Sequence, residues 1–197
     1  ALQRAFDYCA TYGAILHIDS GTFYTDNPIV LRGGKRYRVV FDGEIVTHNS
    51  ENLINKGLFV MSADDNAPIG GYFYDLKASM KNNDISLFYN VNFDKMRIKV
   101  SSAGYGLGMF TNCDITDSVL THGHSKNFDK GIFSRTTVKG SVIKHMYWTA
   151  STWEDKEIND LTYRCFFVES DIIDSVFRAN WLEFGQFSDG KRLTGEG

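Results

Sequence analysis

Short apolar runs alternate with polar corners along most of this chain, and between Phe88 and Phe177 the alternation repeats. The repeated phrase is a phenylalanine, four residues and a second apolar residue. Its copies are Phe88–Phe93, Phe110–Ile115, Phe133–Val138 and Phe167–Ile172. Each copy runs into a tail: Met96-Arg97-Ile98, Ser118-Val119-Leu120, Ser141-Val142-Ile143 and Ser175-Val176-Phe177. The phenylalanines lie 22, 23 and 34 residues apart. An upstream copy is expected at Pro68–Phe73, with Leu76-Lys77-Ala78 as its tail.

A period in the low twenties, built of short β-branched runs, predicts a solenoid of stacked repeats. One repeat is too small to bury its own apolar face, and stacking buries it jointly. The predicted fold is all-β: a single-stranded right-handed parallel β-helix. Equivalent residues of successive coils then lie about 4.8 Å apart. Phe88, Phe110, Phe133 and Phe167 form one inner column, and Phe93, Ile115, Val138 and Ile172 another. The competing reading is a β-sandwich with similar strands.

Ahead of the repeat, residues 1–13 predict an amphipathic helix. Leu2, Ala5, Phe6 and Cys9 share one face, and Gly13 ends it. Strands follow at Ala14–Tyr24, Ile29–Leu31, Tyr37–Phe41 and Glu44–Thr47, broken by Gly33-Gly34 and Asp42-Gly43. The helix would cover the open apolar end of the coil, whose bare strand edges invite aggregation. Residues 14–197 are expected to form one β-helical domain. Ser62 to Pro68 predicts a protruding loop, and a longer insertion falls between Trp148 and Leu161. The chain starts inside a helical pattern and stops at Thr194-Gly-Glu-Gly197, so further segments are expected beyond both ends.

The opening, Ala-Leu-Gln-x-Ala-Phe, then a strand, Gly-Thr-Phe-Tyr, Pro-Ile-Val-Leu and an Asp-Gly turn, resembles that of pectate-lyase-like parallel β-helices. It is similar to the version in polygalacturonase relatives and in bacteriophage tailspikes and preneck appendages. The resemblance covers residues 1 to about 48 by motif and the rest by periodicity. It implies a tail appendage or tailspike of the virion that binds, and could depolymerise, a host cell-surface glycan such as teichoic acid or capsular polysaccharide. The alternatives are a secreted bacterial polysaccharide hydrolase or lyase, and a structural shaft with no ligand in this fragment.

Composition narrows the classes. The chain has 197 residues, 43% hydrophobic and 14% aromatic, enough for one packed domain. A net charge of −3 argues against a nucleic-acid partner. No apolar run has the length of a membrane span. Cys9, Cys113 and Cys165 have no disulfide or metal spacing and are expected to be free thiols. No metal and no cofactor is implied.

Glycan-cleaving sites work through paired carboxylates. The repeat puts Asp117 and Asp174 in one column, with Lys95 and Gly140, and Asp114 and Asp171 in another, with Asn92 and Thr137. Asp117 and Asp174 would be two coils apart, roughly 10 Å, at the wide limit for an inverting pair. The rival role is corner building, with each aspartate bonding backbone amides. The polygalacturonase motifs are not met: Arg97-Ile98-Lys99 precedes Asn112-Cys-Asp114, Gly123-His124-Ser125 matches only half, and paired aspartates are absent. No catalytic residue is carried over. Sugar-stacking candidates are Tyr105, His122, His124, Trp148 and Trp153, with the inserted loop as the expected binding element. Adjacent apolar residues in a strand face opposite ways. Val119, Val142 and Val176 should therefore form an outer apolar stripe, expected to face the axis of a homotrimer, or else a later segment of the chain.

Overall fold

In the computed structural model, residues 1–62, 64–82, 84–122, 125–128, 131–146, 148–149 and 167–179 are described. They form one helix, Leu2–Tyr12, followed by strands in a sheet of fourteen and a second sheet of six. Every strand pairing among them is parallel.

The six-stranded sheet carries the column of phenylalanines. Phe88 pairs with Phe110, Phe110 with Phe133 and Phe133 with Phe167. Their ring centroids stand 5.2, 5.2 and 5.0 Å apart, with interplanar angles of 8°, 10° and 11°. Registered strand pairing leaves each ring no choice but to lie over the next, in the stacked arrangement favoured when offset. The column extends further than the repeat suggests, since Phe59 stacks on Phe88 at 5.2 Å and pairs with Ile29. In the larger sheet Phe93, Ile115, Val138 and Ile172 align as expected, with Ile69 next to Phe93.

The upstream copy is out of register. Phe73 lies beside Ile98, not Phe93, and Leu76 lies beside Val100. The strand Ile69–Ser79 shifts register against its neighbour between Ile69 and Gly71 and between Phe73 and Lys77, where Gly71 (φ 106°) and Asp75 (φ 57°) take positive φ. Lys77 consequently pairs with Ser102, and Tyr72 is the neighbour of Arg97.

Two corners are built the same way in each repeat. The first has a left-handed residue at Asn90, Asn112, Arg135 and Glu169, and the second at Lys95, Asp117, Gly140 and Asp174. One residue later a hydroxyl closes the turn at Ser118, Thr136, Ser141, Ser170 and Ser175, while Val91, Met96 and Cys113 hold that place in the earlier strands. Ser118, Ser141 and Ser175 each donate to the carbonyl two residues back, at 2.7–2.9 Å. The same hydroxyls accept from the backbone N–H of the preceding repeat: Met96 to Ser118 at 3.1 Å, Ser118 to Ser141 at 3.0 Å and Ser141 to Ser175 at 3.1 Å. Thr136 and Ser170 do this at the first corner, for Cys113 and Thr136. Serine and threonine thus satisfy the amides that turning removes from the strand ladder.

The helix closes the amino-terminal end. Phe6 is fully buried, its ring 5.6 Å from Phe59 and 6.2 Å from Phe73. Gly13 is left-handed (φ 63°) and ends the helix. Gln3 has a role its polar face concealed. Its amide accepts from Val30 N–H at 2.7 Å and donates to Val30 C=O at 2.9 Å, pairing the sheet edge as a further strand would.

Two measurements follow from these bonds. Gln3→Ala leaves both groups of Val30 unpaired at a partly buried edge, so a loss of about 1–3 kcal/mol in denaturant-unfolding stability is expected. Ser141→Ala strips the buried Ser118 amide of its acceptor at a similar cost, whereas Ser141→Thr keeps the hydroxyl, as Thr136 does, and should retain most of the stability.

Candidate functional site

Asp65 shapes a surface hollow among the described residues. Its carboxylate accepts from Gly33 N–H at 2.6 Å, drawing residues 64–68 against the Gly33-Gly34 turn. A side chain at 33 could not fit, because a Cβ there would meet the Asp65 carboxylate at 2.1 Å. Gly34 N–H adds a bond to Ala67 C=O at 3.1 Å, and the Asn92 amide donates to Asn66 C=O at 3.3 Å. Between this loop and the first corner lies a groove of about 550 Å³. Asp65 and Asn66 line one side. Asn90, Asn112, Asp114 and Arg135 line the other. A smaller hollow of about 250 Å³ adjoins it, sharing Asn92 and Asp114.

The far wall comes from three successive strands. Asn90, Asn112 and Arg135 occupy equivalent left-handed positions, with φ of 53°, 54° and 48°. The left-handed backbone turns their side chains outward, and asparagine tolerates it best among non-glycine residues. The Asn112 amide donates to Asn90 Oδ1. Asn112, Asp114 and Arg135 are exposed. The groove therefore offers amide donors, amide and carboxylate acceptors and one guanidinium. That set suits a ligand rich in hydroxyls, which both donate and accept. None of its lining residues is aromatic.

The four aspartates are arranged as the repeat predicts. Asp114 and Asp171 flank Thr137 in register. Asp117 and Asp174 are exposed at second corners on either side of Gly140, φ 48° and 47°. A Cβ on Gly140 would come within 2.6 Å of the Asp117 carboxylate. Beside Asp117 and Asp174 the corner amides are bonded by the serines that follow, Ser118 and Ser175, which accept from Met96 N–H and Ser141 N–H. Of the four, Asp114 alone lines the groove.

The aromatic candidates give less. Tyr105 and Trp148 lie on strands and His122 ends one, but their side chains, together with His124, Trp153 and the insertion, lie outside the described residues. Val119, Val142 and Val176 do form one outward column, with Leu120, Ile143 and Phe177 facing inward. Val176 is 47% exposed.

Cys113 is buried at the corner position that Thr136 and Ser170 occupy. Its Sγ donates to Thr111 C=O at 3.3 Å, as the hydroxyls do. Cys9 is also buried and free, and Cys165 lies outside the described residues. Among the described residues no cluster of three His, Cys, Asp or Glu could hold a metal ion, and no helix is long and apolar enough to cross a membrane. Comparison with protein-family models, curated proteins and solved structures found no match to this chain.

Burial pushes the Cys113 thiol up to about 12, so it stays protonated and unreactive in the folded protein. Alkylation of Cys113 at pH 8, followed by peptide mapping, should track global unfolding and not precede it. The raised folded value also sets a sign. The stability that the neutral thiol contributes is complete below its unfolded value of about 8.5, and is lost as pH climbs from there toward about 12.

Proposed function

We propose that this chain is a right-handed single-stranded parallel β-helix, of the tailspike or tail-appendage type, that engages a host cell-surface glycan along its first corner. Successive parallel pairing at steps of 22 and 23 residues supports the coil. Parallel strands joined by crossovers are right-handed in about 98% of cases, which supports the hand. The resemblance of residues 1 to about 48 to tailspike openings supports the virion setting.

The observation that carries the ligand class is the groove wall. Asn90, Asn112 and Arg135 repeat along the stacking direction, one per strand. A linear polymer lying along that direction meets a polar group at every step of about 4.8 Å. Its hydroxyls find both donors and acceptors, and Arg135 adds a cation for an acidic or phosphate-bearing unit. Asp114 is the carboxylate placed to act on such a chain, with Asp65 committed to the Gly33 amide. A glycan-cleaving pair needs two carboxylates, so binding is the primary activity and cleavage would require a second acid.

Incubating the intact protein with purified wall polymers from candidate hosts tests this. The expected result is saturable binding that Asn112→Ala and Asp114→Ala each weaken about three- to tenfold, while Asp117→Asn leaves it unchanged. Equal affinity of the parent and both groove variants would overturn the assignment. Shortened products that disappear with Asp114→Asn would add catalysis to it.

A further inference from the structure

The helix Leu2–Tyr12 packs against the strands Ile15–Ile18, Ile29–Leu31 and Arg36–Phe41. The strand Thr22–Thr25 lies at the same end, and its only strand partner among the described residues is Glu44–Thr47. Glu44 N–H donates to Gly21 C=O at 2.9 Å and His48 N–H to Thr25 C=O at 3.0 Å. Backbone groups alternate sides along a strand. The N–H and C=O of Thr22 and Tyr24 therefore point the other way, off the end of the sheet. Among the described residues no side chain meets them as Gln3 meets Val30.

This edge is also undefended. Proteins blunt open edges with lysine, proline or a bulge, whereas this strand reads Thr-Phe-Tyr-Thr and pairs without a register shift. A groove of about 380 Å³ lies along it, between the strand and the start of the helix. Leu2 and Phe23, both partly buried against the core, give the groove an apolar lining. Tyr24 is 61% exposed and stacks on the His48 ring at 5.0 Å. Asp19 and Asp26 bracket the strand, and Glu44 is the neighbour of Thr22. Of these acids only Asp26 has an ion-pair partner among the described residues, His48 at 2.8 Å.

We propose that this edge docks an extended peptide of another protein, one with an apolar residue between basic ones, which adds a strand to the sheet. Main-chain pairing supplies affinity in such complexes and pockets for alternate side chains supply specificity. Here the peptide backbone bonds the free groups of Thr22 and Tyr24. Its apolar side chain enters the groove over Leu2 and Phe23, and its basic residues meet Asp19 and Glu44. A second copy of this chain does not fit. The helix on this end is about 10 Å across, while an added strand lies only about 4.8 Å out. Two copies meeting end to end are held apart by their helices, whereas one strand fits beside the helix. The site is separate from the groove at the first corner and does not depend on a glycan.

Residue-resolved hydrogen exchange of the intact protein, with and without acetyl-Lys-Thr-Val-Thr-Lys-amide, tests the proposal. The Thr22 and Tyr24 amides should exchange fast in the free protein and slow saturably as peptide is added. A strand faces its neighbour with alternate amides. N-methylating the valine amide in one peptide and both threonine amides in another should therefore cost about tenfold in affinity for one of the two only. A glutamate-flanked peptide should bind about threefold more weakly. Tyr24→Pro removes an edge donor and leaves the pairing to Glu44–Thr47 intact, so it should weaken binding about fivefold; should that variant not fold, the methylated peptides decide on the parent protein. Slow exchange of both amides before peptide is added, no slowing on its addition, or equal affinity of the two methylated peptides overturns the proposal. So does undiminished binding of the glutamate-flanked peptide, or unchanged affinity in folded Tyr24→Pro.

Discussion

Residue-for-residue parallel pairing is the constraint on which everything else here depends. Once Phe88, Phe110, Phe133 and Phe167 are paired in register, whatever one strand places inside, its neighbours must be able to stack on. An aromatic ring meets this well, because flat faces repeat at nearly the strand spacing. The centroid distances of 5.0–5.2 Å exceed that spacing only slightly. The same rule governs the aliphatic column of Ile69, Phe93, Ile115, Val138 and Ile172, where Phe93 sets its ring edge-on to Phe88 (86°) and Phe110 (83°).

Stacking solves the interior and leaves two difficulties, the corners and the end. A parallel strand that turns abandons part of its hydrogen-bond ladder, and a buried amide without a partner is costly. At Ser118, Thr136, Ser141, Ser170 and Ser175 the hydroxyl after the left-handed residue resolves this by bonding both back along its own chain and across to the neighbouring strand. Cys113 occupies that position and makes the two carbonyl contacts, to Thr111 and Phe88, that Thr136 makes to Ser134 and Phe110. At the end, Phe6 supplies the apolar plug and Gln3 the hydrogen bonds. One turn of helix thus meets both needs of a sheet edge.

The sequence made the columns legible because inward positions are chemically uniform and evenly spaced. It concealed what breaks that spacing. Phe59 belongs to the stack, but it sits in Leu58-Phe-Val-Met61, where four apolar residues in a row erase the alternation that reveals facing. Phe73 looked like the partner of Phe93 because both follow a similar run. The left-handed Asp75 and the glycine at 71 shift the strand and seat Phe73 beside Ile98. The groove was hidden for a different reason. It depends on Asp65 reaching Gly33, 32 residues away, and nothing local to either residue marks the bond. The corner serines were visible in three of the four tails, yet the adjacent aspartates drew the functional reading because carboxylates are the expected chemistry.

Inside the stack, repetition is compulsory, whereas outward positions are bound only by backbone geometry. Departures from repetition on the outside are therefore where function can be added without disturbing the core. The first corner shows this in the run Asn90, Asn112, Arg135, Glu169: the backbone conformation is constant while the charge passes from neutral to cationic to anionic. The outer sheet face shows it again, where Arg97 gives way to three valines in one column and Thr121 interrupts the cations in the next. Either face carries chemistry that changes from strand to strand on a scaffold that does not. Because the strand step is fixed, the order of side chains along the stack becomes a linear pattern that a linear polymer can match.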